Sequence, residues 1–413
     1  MSHLNVLDDT TRSGDSPAQL VSAEGVLTHA ESAGAVVQGI YVHVPFCVHR
    51  CHYCDFFTIA GRDEQRGAFV DRLLDEAAAA VPRLPAGIET VFIGGGTPTH
   101  LPPADLARLL GGLGSLLGAG RHPLCEWTIE ANPDTISPTV ADILAEYGLN
   151  RVSLGAQSFH AGSLKALERR HDPRNVGQAM EFLRAVGIED LSIDLIFAIP
   201  GQDNPLDIWK RDLDAALALS PTHLSCYGLT YERGTPLRRR LNVGQVVRVS
   251  EETEARMYEY THDRLGAAGF EQYEISNWAR PGHRCLHNLG YWRNANWWPL
   301  GPSASGHVDG RRWRNVPRLG PWLQGSGLSP IDSFEQLDAD GRLGERLMLG
   351  LRLQEGVALR LVEEATAAPK RGPARQAAID RGLEGGLLLW HGDRLTLTAR
   401  GLLLADGVIA ELL

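Results

Sequence analysis

Cys47-Val48-His49-Arg50-Cys51-His52-Tyr53-Cys54 places three thiols at C-x3-C-x2-C spacing, directly behind the apolar run Gly39-Ile40-Tyr41-Val42-His43-Val44-Pro45-Phe46. Three thiolates this close, on a segment too short for a helix, supply three ligands to one soft metal centre. The segment holds no fourth. A cubane of four irons held at three corners keeps one iron open for a small molecule, which fits this spacing. The other reading is a zinc knuckle completed by His49 or His52, although structural zinc normally pairs two ligand couples across a longer loop and no second couple follows. A disulfide fits an odd trio of thiols poorly.

The rest of the composition sets bounds on the class. The chain has 413 residues, 43% hydrophobic and 22% charged, which is the balance of a globular protein with room for two domains. A net charge of -10 argues against a general nucleic-acid binder. No stretch holds the roughly 18 apolar residues of a membrane span. Residues 1–38 lack a basic region followed by an apolar one, so they read as a disordered tail on a cytoplasmic protein. Beyond the trio, Cys125 and Cys226 lie in or beside apolar runs and read as small buried hydrophobes. Cys285 sits in a polar loop near His283 and His287, where a porphyrin could meet it.

From residue 39 onward short apolar runs alternate with helical stretches, the pattern of parallel strands joined by crossover helices. Runs at 39–45, 89–93, 126–131, 151–155, 191–197 and 222–229 read as strands. Helices are expected over 66–81, 104–117, 137–147, 173–186 and 205–219, with another over 251–268. Six such units predict an α/β fold with a partial barrel, in which chemistry gathers at the carboxyl ends of the strands. Motifs follow the strands accordingly. Gly94-Gly95-Gly96-Thr97 allows a close backbone approach to a ligand. Glu130 and Asp194 put carboxylates inside apolar runs, where burial is costly without a partner.

The cysteine trio, preceded by Tyr41-x-His43-x-Pro45-Phe46 and followed by Asp55-Phe56, resembles the radical S-adenosylmethionine (SAM) family. The branch is the one containing the oxygen-independent coproporphyrinogen III oxidases and the HemW heme chaperones. The resemblance extends over residues 39–413. It implies that Cys47, Cys51 and Cys54 hold a [4Fe-4S] cluster whose open iron is chelated by SAM. It also implies SAM contacts from Tyr41, Tyr53, Gly95, Gly96, Thr97, Glu130, Gln157, Arg169 and Asp194. Leu300–His307 is similar to the family's glycine-rich loop over the cluster, with Pro302 as a departure.

Two features divide the branch. The oxidases carry a fourth cysteine two positions beyond the third, where this chain has Phe56. The chaperone group carries HNxxYW, present as His287-Asn288-Leu289-Gly290-Tyr291-Trp292. Imidazole ligates heme iron, and Tyr and Trp offer flat faces to a porphyrin, so His287, Tyr291 and Trp292 are the candidate heme residues. The implied function is a heme chaperone that hands heme to apo-hemoproteins, those of the respiratory chain included, with a homodimer as the implied assembly. The implied alternative is radical decarboxylation of coproporphyrinogen III propionates. The barrel region is expected over 39–315 and a C-terminal, mostly helical winged-helix-like domain over 330–413. In the latter, helices at 343–353, 358–364, 374–381 and 399–412 flank a hairpin of 387–390 with 394–397.

Overall fold

The computed structural model describes residues 22–85, 87–118 and 124–413. Its centre is a run of parallel strands: β1 (Gly39–Val44), β2 (Thr90–Gly95), β3 (Glu126–Ala131), β4 (Arg151–Gln157), β5 (Asp190–Phe197) and β6 (His223–Gly228), adjacent in chain order. The six expected strands are all present. The sheet then grows at both sides. Beyond β6 come β8 (Asn277–Ala279) and β7 (Glu271–Glu274), and beyond β1 come β9 (Trp297–Leu300), β10 (Ser305–Val308), β11 (Arg311–Asn315) and β12 (Ile331–Gln336). β9 runs parallel to β1, and β12 and β7 are the two edges, so the barrel is partial.

The crossover helices cover the outer face because each carries one apolar stripe. Pro103–Gly118 buries Leu106, Leu109, Leu110, Leu113 and Leu117, at three- and four-residue steps. Arg66–Ala80, Pro138–Glu146, Arg174–Ala185 and Pro205–Ala218 do likewise, within a few residues of the expected bounds.

The expected tail needs correction. Ala23–Ala33 is a helix, capped by the Ser22 hydroxyl accepting from Gly25 N at 3.1 Å and ended by Gly34 at φ 62°. It buries Val26, Leu27 and Ala30 in the main core, and Arg83 pairs with both Glu24 and Glu31. Residues 1–21 of that expected tail lie outside the described residues.

The C-terminal domain has a separate core, built on Leu347, Leu351, Val362, Ile379, Leu395 and Ile409. Helices Ala339–Gly350, Leu359–Thr366 and Gly372–Glu384 pack with a small sheet of β13 (Val357–Ala358), β15 (Arg394–Leu397) and β14 (Leu388–His391). The expected hairpin turns at His391-Gly392-Asp393, where Gly392 takes φ 61°. Two expectations shift. Residues 331–336 belong to the main sheet as β12, and the single helix expected over 399–412 breaks at Leu404 into Ala399–Leu403 and Ala405–Ala410.

Candidate functional site

Strand alternation points every second residue into the barrel. The rows are Glu126, Thr128 and Glu130 on β3; Arg151, Ser153 and Gly155 on β4; Ser192 and Asp194 on β5; and His223 and Ser225 on β6. Register sets Thr128 beside Arg151, Glu130 beside Ser153, Gly155 beside Asp194 and Asp194 beside Ser225. These rows enclose a cavity of about 240 Å³, open at the carboxyl ends of the strands, where the cysteine loop lies across it.

Cys47, Cys51 and Cys54 all line this cavity. Cys47 Sγ is 3.6 Å from Thr97 Oγ1, and Arg169 Nη1 donates to Cys51 Sγ at 3.8 Å. Burial pushes the Cys54 thiol up to about 12 and raises Cys47 as well. Bare thiolates are therefore unfavourable here, and a cationic centre offsets that cost. The zinc alternative fares worse. His52 Nε2 and His49 Nε2 turn to Glu168 Oε2, at 3.0 and 3.6 Å. Three thiols lining one cavity beside a guanidinium fit a cluster held at three corners.

Next to them the glycines form a cradle that side chains would fill. A Cβ on Gly94 would lie 2.7 Å from Glu130 Oε2, one on Gly95 2.6 Å from the His43 ring, and one on Gly96 2.7 Å from Phe46 O. Gly95 N donates to Glu130 Oε2 at 3.0 Å. Burial, and then the nearby Asp194 charge, raises the Glu130 carboxyl to about 7. Asp194 is also raised by burial, and accepts from the Ser153 hydroxyl at 2.8 Å and from Ser192 at 3.3 Å. Arg169 Nη2 donates to Gly155 O at 2.6 Å, and its Nε has no partner among the described residues. Gln157 holds φ 64° at the cavity wall. Tyr53, Gly95, Gly96, Thr97, Glu130, Gln157, Arg169 and Asp194 are thus brought together around one space. A polar cradle with carboxylates, a free guanidinium nitrogen and bare backbone fits an amino-acid-bearing cofactor such as SAM.

Several expected residues lie elsewhere. Tyr41 is not in the wall: its hydroxyl bonds His43 Nδ1 at 3.1 Å and its ring stacks on Phe92. The loop Leu300–His307 does not line the cavity either. Gly301 N is fastened to Glu76 Oε2 at 3.2 Å, and Gly301 O to Asn315 Nδ2 at 3.0 Å. Cys226 is buried as expected, but Cys125 is exposed, because it precedes β3 rather than lying in it. Cys285 is buried at the floor of the cavity, with Sγ 3.4 Å from Glu126 Oε1.

That floor is the helix Leu286–Trp292, which carries the HNxxYW motif. Glu126 caps it, accepting from Leu286 N at 2.8 Å and His287 N at 2.9 Å. Asn288 faces the cavity, and His287 faces away from it, toward the first residues of β1 and β2. His287 Nδ1 bonds Thr90 Oγ1 and Nε2 bonds Tyr291 OH, both at 2.8 Å. Burial alone lowers its pKa to about 3, so the imidazole is neutral. His287 and Tyr291 line a second cavity of about 510 Å³, with Trp297 and Arg293. Trp292 lies outside it, packed on Tyr273, Leu289 and Leu353.

Lumen residues that the sequence reading did not single out are the hydroxyls Thr128, Ser153, Ser192 and Ser225, with Arg151 and His223, and Glu126 against Arg151. Their signal was the alternation itself: a polar residue at every second place in Trp127–Ala131, Arg151–Gly155, Leu191–Leu195 and His223–Cys226.

Residues 41–205 match the radical SAM superfamily and residues 337–404 the HemN C-terminal domain. The heme chaperone HemW of Mycobacterium tuberculosis is 39% identical over 383 residues, covering 91% of this chain and 94% of its own length. The heme chaperone HemW of Escherichia coli is 35% identical, covering 76% of this chain and 82% of its own. Coproporphyrinogen III oxidase (HemN) from Escherichia coli, a radical SAM enzyme, superposes with a TM-score of 0.80 over 97% of this chain and 96% of its own. At 20% identity that likeness is one of fold.

Proposed function

The chain belongs to the HemW family of heme chaperones within the radical SAM superfamily, and from that membership we propose that it binds heme and transfers it to apo-hemoproteins. The observation that carries the reading is the groove of about 510 Å³ beside His287, Tyr291 and Trp297. It offers a neutral imidazole and flat aromatic surface. Low basicity keeps the His287 lone pair available for iron across the physiological range. Its Nε2 is engaged by Tyr291, so iron binding there requires the phenol to turn aside, at a cost of about 1 kcal/mol.

The cluster belongs to Cys47, Cys51 and Cys54, and SAM to the cradle of Gly95, Gly96, Thr97, Glu130, Gln157, Arg169 and Asp194. Cluster and SAM, when bound, supply redox and radical chemistry. The chain's own part is positional. Arg169 ties Gly155 to Cys51, and Thr97 reaches Cys47, so loop and cradle are held to one another. Phe56, at the mouth of the cavity, stands where an oxidase of this branch has a cysteine. Apo-hemoproteins of the respiratory chain are the acceptors this membership favours, met by a cytoplasmic chaperone. Among the described residues no helix is long and apolar enough to cross a membrane.

Heme titration followed by the Soret band tests the reading. His287→Ala is expected to weaken heme at least tenfold with iron and sulfide content unchanged, and Tyr291→Phe to bind as well as the parent or better. Undiminished affinity in His287→Ala removes the groove from this account. Repeated turnover of coproporphyrinogen III by cluster-replete protein with SAM and reductant would instead make it an oxidase.

A further inference from the structure

Below the layer of Glu130 and Asp194 the lumen continues to a closed end, whose polar groups serve neither the cluster, the SAM cradle nor the heme groove. Arg151, the first residue of β4, is 3% exposed. Its Nε pairs with Glu126 Oε2 at 3.3 Å and its Nη2 donates to His283 O, while Nη1 has no partner among the described residues. Thr128 sits beside it in register, 1% exposed, with its hydroxyl unpartnered. Asn288 Oδ1, from the helix that closes the floor, is likewise unpartnered, and all three residues line the same cavity. Each buried polar atom left alone costs about 1 to 3 kcal/mol. Neighbours at this depth are satisfied: Ser192 bonds His223 Nδ1 and His223 Nε2 bonds Tyr273, both at 2.8 Å. At the closed end the deficit thus falls on Arg151, Thr128 and Asn288.

The unmet groups define what would meet them. Arg151 Nη1 and the Thr128 hydroxyl are donors on adjacent strands, so they call for one acceptor oxygen between them. Glu126 does not exhaust the guanidinium, because its own charge is shared with Leu286 N and His287 N. A carboxylate supplies one oxygen to the two donors, and its second faces the Asn288 amide, whose nitrogen and oxygen exchange by rotation. Arg151 lies four residues before Gly155, about 13 Å along the strand, so this end is separate from the cysteine side.

We propose that the closed end of the barrel lumen is a subsite for the carboxylate of a small organic acid, with Arg151 and Thr128 as its donors. The proposal goes beyond heme carriage and does not depend on it. Propionate is the probe, titrated into the cluster-replete full chain and followed by saturation-transfer NMR, with propionamide as the neutral control. Saturable binding is expected for propionate, at least fivefold weaker for propionamide and absent in Arg151→Gln. Because Arg151→Gln leaves Glu126 short of a partner and risks misfolding, Thr128→Val is the second variant. It removes only an unpartnered hydroxyl, so its melting temperature should hold or rise while propionate weakens at least fivefold. No saturable binding to the parent protein, or equal affinity in Thr128→Val, overturns the proposal and leaves the closed end to water.

Discussion

Replacing Glu130 by Gln should make the cofactor-free chain more stable at alkaline pH. The Glu130 carboxyl stands at about 7 against an ordinary 4.5, because it is buried and faces Asp194. Its folded value is the higher one, so folding takes up a proton between the two. The associated stability is fully present below pH 4.5 and is lost as pH rises through 7. At about 1.4 kcal/mol per pH unit the full effect is about 3 kcal/mol. The side chain opens partly onto the lumen, which trims this to about 2 kcal/mol. Glutamine keeps an oxygen for Gly95 N and cannot ionise. Urea unfolding of both chains from pH 4.5 to 8 should therefore give equal stabilities at the acid end and an advantage of about 2 kcal/mol for Glu130→Gln at pH 8. Glu76, raised to about 7 by its own burial, slopes both curves alike and drops out of the difference. Parallel curves would refute the assignment of a neutral carboxyl to this site. At pH 8, where the parent carboxyl is ionised, the same variant should bind SAM at least tenfold more weakly by calorimetry, since the missing charge is what a cationic ligand meets.

Gly96→Ala would press a Cβ to 2.7 Å from backbone atoms of Pro45 and Phe46, which cannot swing aside; the segment leading into Cys47 must move, and iron content after reconstitution should fall well below that of the parent. Gly155→Ala brings a Cβ to 2.9 Å from Arg169 Nη2 and Gln157 Nε2, so SAM affinity should drop about tenfold while iron content is kept. Leu27→Ala, in the helix Ala23–Ala33, removes a fully buried side chain and should cost about 3 kcal/mol in urea unfolding. No loss there would mean the helix is not part of the core.

The parallel strands and their helices were legible because each depends on local pattern: short apolar runs, helical stripes, and glycines where the chain turns. Cys47, Cys51 and Cys54 were legible as one group because spacing alone gathers them. What stayed hidden depends on partners far away in the chain. β9 completes the sheet beside β1 through a pairing of Gly39 with Trp297, which nothing near either residue announces. The helix Ala23–Ala33 escaped notice because its buried face, Ala23, Val26, Leu27 and Ala30, is short and holds just two large apolar side chains. Glu126 and Arg151 begin their strands, yet both are buried because the helix Leu286–Trp292 closes that end of the barrel. Tyr41 carried a family position in sequence, but register turns it under the cradle against His43.

That closing helix also explains why the HNxxYW motif could be recognised without being placed. His287 meets Thr90, 197 residues away, and its neighbours along the helix serve three different regions. Asn288 and the preceding Cys285 face the lumen, His287 and Tyr291 face the groove, and the residues just past the helix reach the C-terminal domain. There Arg293 pairs with Glu355 at 3.1 Å and Asn294 Nδ2 donates to Glu345 at 3.1 Å. The wall between the lumen and the groove beside His287 is here two rings thick, Phe92 on the lumen side stacked on His287 on the groove side with ring centres 5.3 Å apart. A displacement of this one helix alters both cavities together, and the C-terminal domain holds its far end.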